Sequence, residues 1–179
     1  GSWGGRAEGT IAVGGRTGLP RTPAHAVRMG IAMVSEDRKK SGIFSGQSVG
    51  SNIGAASIGK VARFGYVRSD LEYERNASLI DRLRIKAPSQ QTWIDYLSGG
   101  NQQKTIVARW LAAAPEVLIL DEPTTGVDVG ARFELYRIIH RLADEGRGVL
   151  LISSALEEVV AQCDRVLVIY EAALWPGFP

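Results

Sequence analysis

The chain has 179 residues, 45% apolar and 22% charged, a composition that suits one globular core and excludes a largely disordered polymer. Lys and Arg total 21 against 19 Asp and Glu, and the resulting net charge of +2 supplies no electrostatic footprint for nucleic acid. A single cysteine, Cys163, excludes an internal disulfide and a cysteine-built metal cage and fits a reducing compartment.

No apolar stretch reaches the length of a bilayer crossing, since the best one, Leu111 to Leu120, is broken by Pro115 and Glu116. No secretory leader is visible and the first methionine is Met29, so cytoplasm is the expected compartment. Nothing before Ile11 reads as a periodic element. Short β-branched runs predict strands at Gly9 to Val13 and Ile31 to Val34. Between Gly42 and Thr92 the composition changes to glycine, serine and asparagine, then to a charged segment, Asp70 to Lys86. The latter carries Leu71, Leu79, Ile80, Leu83 and Ile85, and the region reads as a smaller helical insert.

Helical spacing returns from Asn101 to Ala114, with Ile106, Val107, Trp110 and Leu111, and from Ala131 to Ala143, with Leu135, Ile138, Ile139 and Leu142. Strands are expected at Val117 to Leu120, Val149 to Ser153 and Val166 to Tyr170. Apolar strands alternating with helices predict an α/β fold with a mostly parallel sheet covered on both sides. Cys163, four residues past Val159 and seven past Leu156, is expected as a buried packing thiol, and His25 and His140 as surface helix residues.

Two motifs carry chemistry. Leu97-Ser98-Gly99-Gly100-Asn101-Gln102-Gln103-Lys104 puts small residues at the start of a helix, where backbone amides and the helix dipole favour a phosphate. Asp121 and Glu122 end an apolar strand, the edge at which open parallel sheets place ligands. An Asp there can hold magnesium through water and the adjacent Glu can polarise an attacking water, whereas an isolated Asp-Glu more often merely caps a helix.

The order LSGGNQQK, then a helix, then VLILDEPTTGVDVGA resembles an ATP-binding cassette (ABC) ATPase domain of the P-loop NTPase type. The wording is closest to the second cassette of bacterial sugar-importer ATPases. Gly30 to Lys39, with Glu36-Asp37-Arg38-Lys39, and Leu151 to Val159 support the resemblance, which runs from about Gly9 to Tyr170. It implies that Ser98, Gly99, Gly100 and Gln102 complete the ATP site of an opposing cassette, and that Asp121 holds Mg2+ and Glu122 is the catalytic carboxylate. Asp128 is then an inter-domain contact. Glu36 stands where most cassettes have a magnesium-sensing glutamine, against a plain reading as a surface turn beside Arg38-Lys39-Lys40. Ser154 stands where active cassettes have a histidine, and a serine cannot supply that imidazole.

The phosphate loop, Gly-x-x-x-x-Gly-Lys followed by Ser or Thr, is absent. Gly54 to Lys60 matches seven positions, but Val61 follows and no buried strand precedes, so the match is read as a decoy. The resemblance places the true loop before Gly9. The expected organisation is then residues 1–44 as part of the ATPase core, 45–96 as the helical insert, 97–171 as signature helix and core with the Asp-Glu strand, and 172–179 as an irregular tail.

The expected function is ATP binding and hydrolysis coupled to monosaccharide import at the cytoplasmic face of a bacterial membrane. The partners would be a second cassette, permease subunits and, indirectly, a sugar-binding protein. Without the phosphate loop the chain alone is expected to be inactive. The alternatives are a non-catalytic module docking on a permease or partner cassette, and a soluble ABC ATPase.

Overall fold

The computed structural model describes residues 8–63, 66–171 and 173–174. The chain opens with an antiparallel hairpin of β1 (Ile11–Val13) and β2 (Arg16–Gly18), turned at Gly14 and Gly15, both at positive φ. Helix α1 (Pro23–Arg28) starts at Thr22, whose hydroxyl accepts the His25 N–H, with Pro23 at the first helical position. It feeds β3 (Ile31–Val34), which ends in one π-helical turn, Arg38–Gly42.

The next segment is helical and short-hairpinned. It comprises α2 (Val49–Gly54), α3 (Ile58–Val61), the hairpin β4 (Ala62–Arg63) and β5 (Tyr66–Val67), and α4 (Ser69–Arg82). After a 3-10 turn at Ile94–Tyr96 comes α5 (Gly99–Ala112), then β6 (Val117–Asp121), α6 (Val129–Asp144), β7 (Gly148–Ile152) and α7 (Leu156–Gln162). A last hairpin joins β8 (Ile169–Tyr170) to β9 (Ala173–Leu174).

The central sheet is parallel, in the order β3-β6-β7. Its register aligns Val34, Leu120 and Leu151 in one row and Met33, Ile119 and Leu150 in the next. Because successive residues of a strand point to opposite faces, these rows lie on different sides. The first side is closed: Ala32, Val34, Leu118 and Leu120 are buried in one core with Ile106, Val107 and Leu111 of α5 and Leu135, Ile138 and Leu142 of α6. On the other side Met33, Leu150 and Ile152 are exposed, so the expected two-sided cover is found on one side only among the described residues.

The strand expected over Val166 to Tyr170 reaches only Ile169–Tyr170, and it pairs with β9 instead of joining the parallel sheet. β7 is an edge of that sheet among the described residues, so no neighbour aligns Val166 to Val168 as a strand. Likewise the strand expected from Gly9 begins at Ile11 and belongs to the separate first hairpin. Cys163 is half-buried just past α7, not in the core, and partial burial with Asp164 nearby pushes its thiol pKa up. Of the tail 172–179, Ala173 and Leu174 form β9, and the rest lies outside the described residues.

The Gly54 to Lys60 run spans the end of α2 and the start of α3, so a helix and not a strand leads into it. The Lys60 ammonium donates to the Ala113 carbonyl at 2.7 Å, and a Cβ at Gly54 would meet Glu72. This is helix packing, with the lysine spent on the end of α5.

Candidate functional site

Asp121 closes β6 at the carboxyl edge of the parallel sheet, and Glu122 follows at φ +44°, a conformation that non-glycine residues seldom take. The bend is pinned twice to the adjoining chain. The Glu122 N–H donates to the Ile152 carbonyl at 2.9 Å, and its carboxylate accepts the Ser154 N–H at 2.5 Å. Asp121 is half-buried, and its carboxylate has no side-chain partner among the described residues. An acceptor-only group in that state fits a hydrated cation. No cluster of three or more His, Cys, Asp or Glu exists among the described residues, so a magnesium ion there would take one carboxylate and keep most of its water.

The capping role that Asp-Glu pairs often play belongs elsewhere. Asp128 caps α6, its carboxylate accepting the Ala131 N–H at 3.0 Å, while remaining exposed. Asp121 and Glu122 are therefore free of that duty.

Ser154, in the turn after β7, presents a backbone amide to Glu122, and its side chain is exposed. Glu36 is exposed beyond β3, and the parallel register brings that strand's end beside the end of β6. Glu36, Asp121, Glu122 and Ser154 thus share the carboxyl edge of one sheet.

The turn Ser98–Gly100 is a second station, at the start of α5. Ser98 has N-cap backbone geometry but its side chain does not cap; its hydroxyl accepts Asn101 Nδ2 at 2.9 Å. The first-turn N–H groups have no intrahelical partner and lack a side-chain cap. Both glycines are required by packing within the chain itself. A Cβ at Gly99 would lie 2.9 Å from the Gly126 carbonyl, and one at Gly100 would lie 2.4 Å from the Ala131 Cβ. The helix begins at Gly99, two residues before Asn101, where the pattern suggests its start. Gln102 turns away, its amide donating to the Ile94 carbonyl at 3.1 Å.

The two stations are joined by residues 122–128, and this loop is fixed by residues that motif reading overlooks. Glu158 of α7 accepts from Thr124 Oγ1 at 3.0 Å and Ser153 Oγ at 3.2 Å, and Arg132 approaches at 3.4 Å. With the Glu122 to Ser154 bond, these contacts link Glu122 and Thr124 of the loop to Ser153, Ser154 and Glu158. The Tyr136 hydroxyl is buried near Glu158 and Thr124. Burial first, and the Glu158 carboxylate second, push its pKa up to about 12. Arg38, which reads as part of a basic surface run, is half-buried and donates to the Gly99 carbonyl at 3.2 Å. The only hint in the sequence is an acidic residue one helical turn beyond Ser154.

Comparison with known proteins places the chain by family and fold. The ABC transporter family matches residues 5–125, more than half of the chain. The xylose import ATP-binding protein XylG of Geobacillus kaustophilus is 41% identical over 178 residues, covering 99% of this chain and 35% of its own. The ribose import ATP-binding protein RbsA of Rhodopirellula baltica is 43% identical over 170 residues, covering 95% and 33%. The chain thus spans about a third of the length of these relatives. Among solved structures, the ATP-binding cassette MJ0796, a dimer in a post-hydrolysis state bound to ADP and Pi, superposes with a TM-score of 0.67 at 18% identity. That match covers 84% of this chain and 64% of the other, and shows a shared fold. The chain belongs to the ABC transporter family.

Proposed function

We propose that the chain is the signature-bearing part of the second cassette of an ATP-driven monosaccharide importer, working at the cytoplasmic face of a bacterial membrane. In this reading Asp121 would hold Mg2+, and Glu122 would take hydrogen bonds from the water that attacks the terminal phosphate of ATP. When bound, Mg2+ neutralises charge on the phosphate oxygens. Glu36 and the Ser154 backbone border the same edge. Ser98 to Gly100, with Gln102 behind them, offer first-turn amides to the ATP of an opposing cassette, and exposed Asp128 faces that partner.

The single observation that carries the reading is that one backbone segment, 122–128, ties the two carboxylates to the signature turn. A phosphate loop would come from a strand–loop–helix unit outside these 179 residues. The edge that β7 leaves open among the described residues and the bare apolar face ending at Asp121 support this, because one strand and one helix would cover both. Alone, the chain would neither bind ATP tightly nor turn it over. Since Ser154 supplies no imidazole, its main contribution would be to complete the partner's site. The docking face for permease subunits would be the exposed stack of Trp93 and Tyr96, with ring centroids 6.4 Å apart.

The test mixes the chain with a phosphate-loop-bearing cassette of the same family and follows association by light scattering with and without ATP. ATP-dependent association is expected, and Ser98→Arg, at an exposed position, should weaken it by at least about tenfold without unfolding the chain. Gly99 is a poor probe because a side chain there clashes within its own chain. Equal association with and without ATP, or an unaffected S98R, defeats the reading.

A further inference from the structure

Arg38 occupies a slot made by three glycines from three segments. One is Gly42, in the π-helical turn that Arg38 itself begins, where a Cβ would lie 3.6 Å from the Arg38 Cβ. The second is Gly99 of α5, where a Cβ would lie 3.1 Å from Arg38 Nη2. The third is Gly126, at φ +68°, where it would lie 3.7 Å from the same nitrogen. Within the slot, Nη1 donates to the Gly99 carbonyl at 3.2 Å, while Nε is buried without a hydrogen-bond partner. Burying part of a guanidinium for one carbonyl contact is a poor way to add stability, since an apolar side chain would fill the space without a desolvation cost.

What the arrangement does provide is a connection. Arg38 lies two residues past Glu36 at the sheet edge, its fork rests on the signature turn, and its tip faces the loop that runs from Glu122 to Asp128. We infer that Arg38 is a positioning residue that holds the signature turn against the 122–128 loop and makes both follow the segment beyond β3. A shift of that segment would then be passed, through one side chain, to the surface offered to a second cassette. The positioning role stands on the geometry of this chain; its consequence for a partner rests on the function proposed above.

The experiment compares wild type, R38Q and R38K, each as the full 179-residue chain, by amide hydrogen exchange and by the association assay. R38Q should speed exchange in residues 98–104 and 122–128 by about tenfold, the scale of one charge-assisted hydrogen bond, with β6 and the centre of α6 unchanged. R38K, which keeps the charge but not the fork, should fall between. Where wild type associates with the partner cassette in ATP, R38Q should weaken that association about tenfold. Exchange unchanged in both segments, or raised evenly over the whole core, overturns the inference, as does unweakened association of R38Q. Should wild type itself not associate, the proposed function fails, and the exchange pattern alone decides: localised acceleration sustains the positioning role, and its absence overturns it.

Discussion

The two faces of the β3-β6-β7 sheet are built from alternate residues of the same three strands, yet they differ completely in surroundings. Val34, Leu118 and Leu120 are at most 1% exposed beneath α5 and α6, whereas Met33, Leu150 and Ile152 are 44–48% exposed. Both sets are equally apolar, so hydrophobicity alone cannot tell which is covered. The difference shows that residue type records a demand for cover, while topology decides whether these elements meet it. Asp121 continues the bare row, so it points to the exposed side, the one on which the proposed nucleotide-binding element would lie.

The sharpest way to break the comparison is to damage the closed face. Leu120→Ala removes a fully buried side chain amid α5, α6 and the neighbouring strands, and should cost about 3–5 kcal/mol, a large part of a domain's typical total. Urea unfolding should show a lower midpoint with an unchanged slope. A loss under about 1 kcal/mol would mean that this core is not packed as found.

A smaller effect is expected at the polar joint that locks α5 to α6 on the closed side. The Lys104 ammonium, with its side chain 2% exposed, pairs with the Glu134 carboxylate and donates to the Arg84 carbonyl at 3.0 Å. Glu134 keeps about a third of its surface in water, so solvent screening limits the pair, and E134Q should cost about 1–2 kcal/mol. The hydrogen bond from Lys104 holds the Glu134 pKa below the usual carboxylate value of 4.5. A depressed folded pKa gives stability that is present above the unfolded value and fades as pH falls through the folded one. Wild type and E134Q should therefore differ at neutral pH and converge in acid. A difference that grows below pH 4 would reverse the sign and contradict the pairing.

Much of the sheet was legible because Ile31–Val34, Val117–Asp121 and Gly148–Ile152 are apolar runs of strand length bounded by turns. The strand over Val166 to Tyr170 has the same character but reaches only two residues, since strand formation needs a neighbour and β7 is an edge among the described residues. At the candidate site, the motif residues were legible because their spacing is distinctive. Arg38 and Glu158 were not. Nothing local tells a basic run on the surface from one whose first arginine slots among Gly42, Gly99 and Gly126. Nor does it show that a helix glutamate will gather hydroxyls from Thr124 and Ser153. Nor is the packing role of the signature glycines legible, since the absent side chains of Gly99 and Gly100 also make room for the chain's own 126–131 turn.

The smallest expected effect is the most discriminating. Leu150 and Leu151 are adjacent in β7 and chemically identical, but one projects from each face, so replacing each with Thr sets the two sides directly against each other. Leu151→Thr puts a hydroxyl against the closed core and should cost about 1–2 kcal/mol. Leu150→Thr should stay within about 0.5 kcal/mol, and binding of a hydrophobic dye should fall as apolar surface is lost. Equal losses at the two positions would mean that the second face is covered in solution by part of the chain or by another copy. The contrast would then vanish, and with it the argument that a strand and helix from elsewhere complete this sheet.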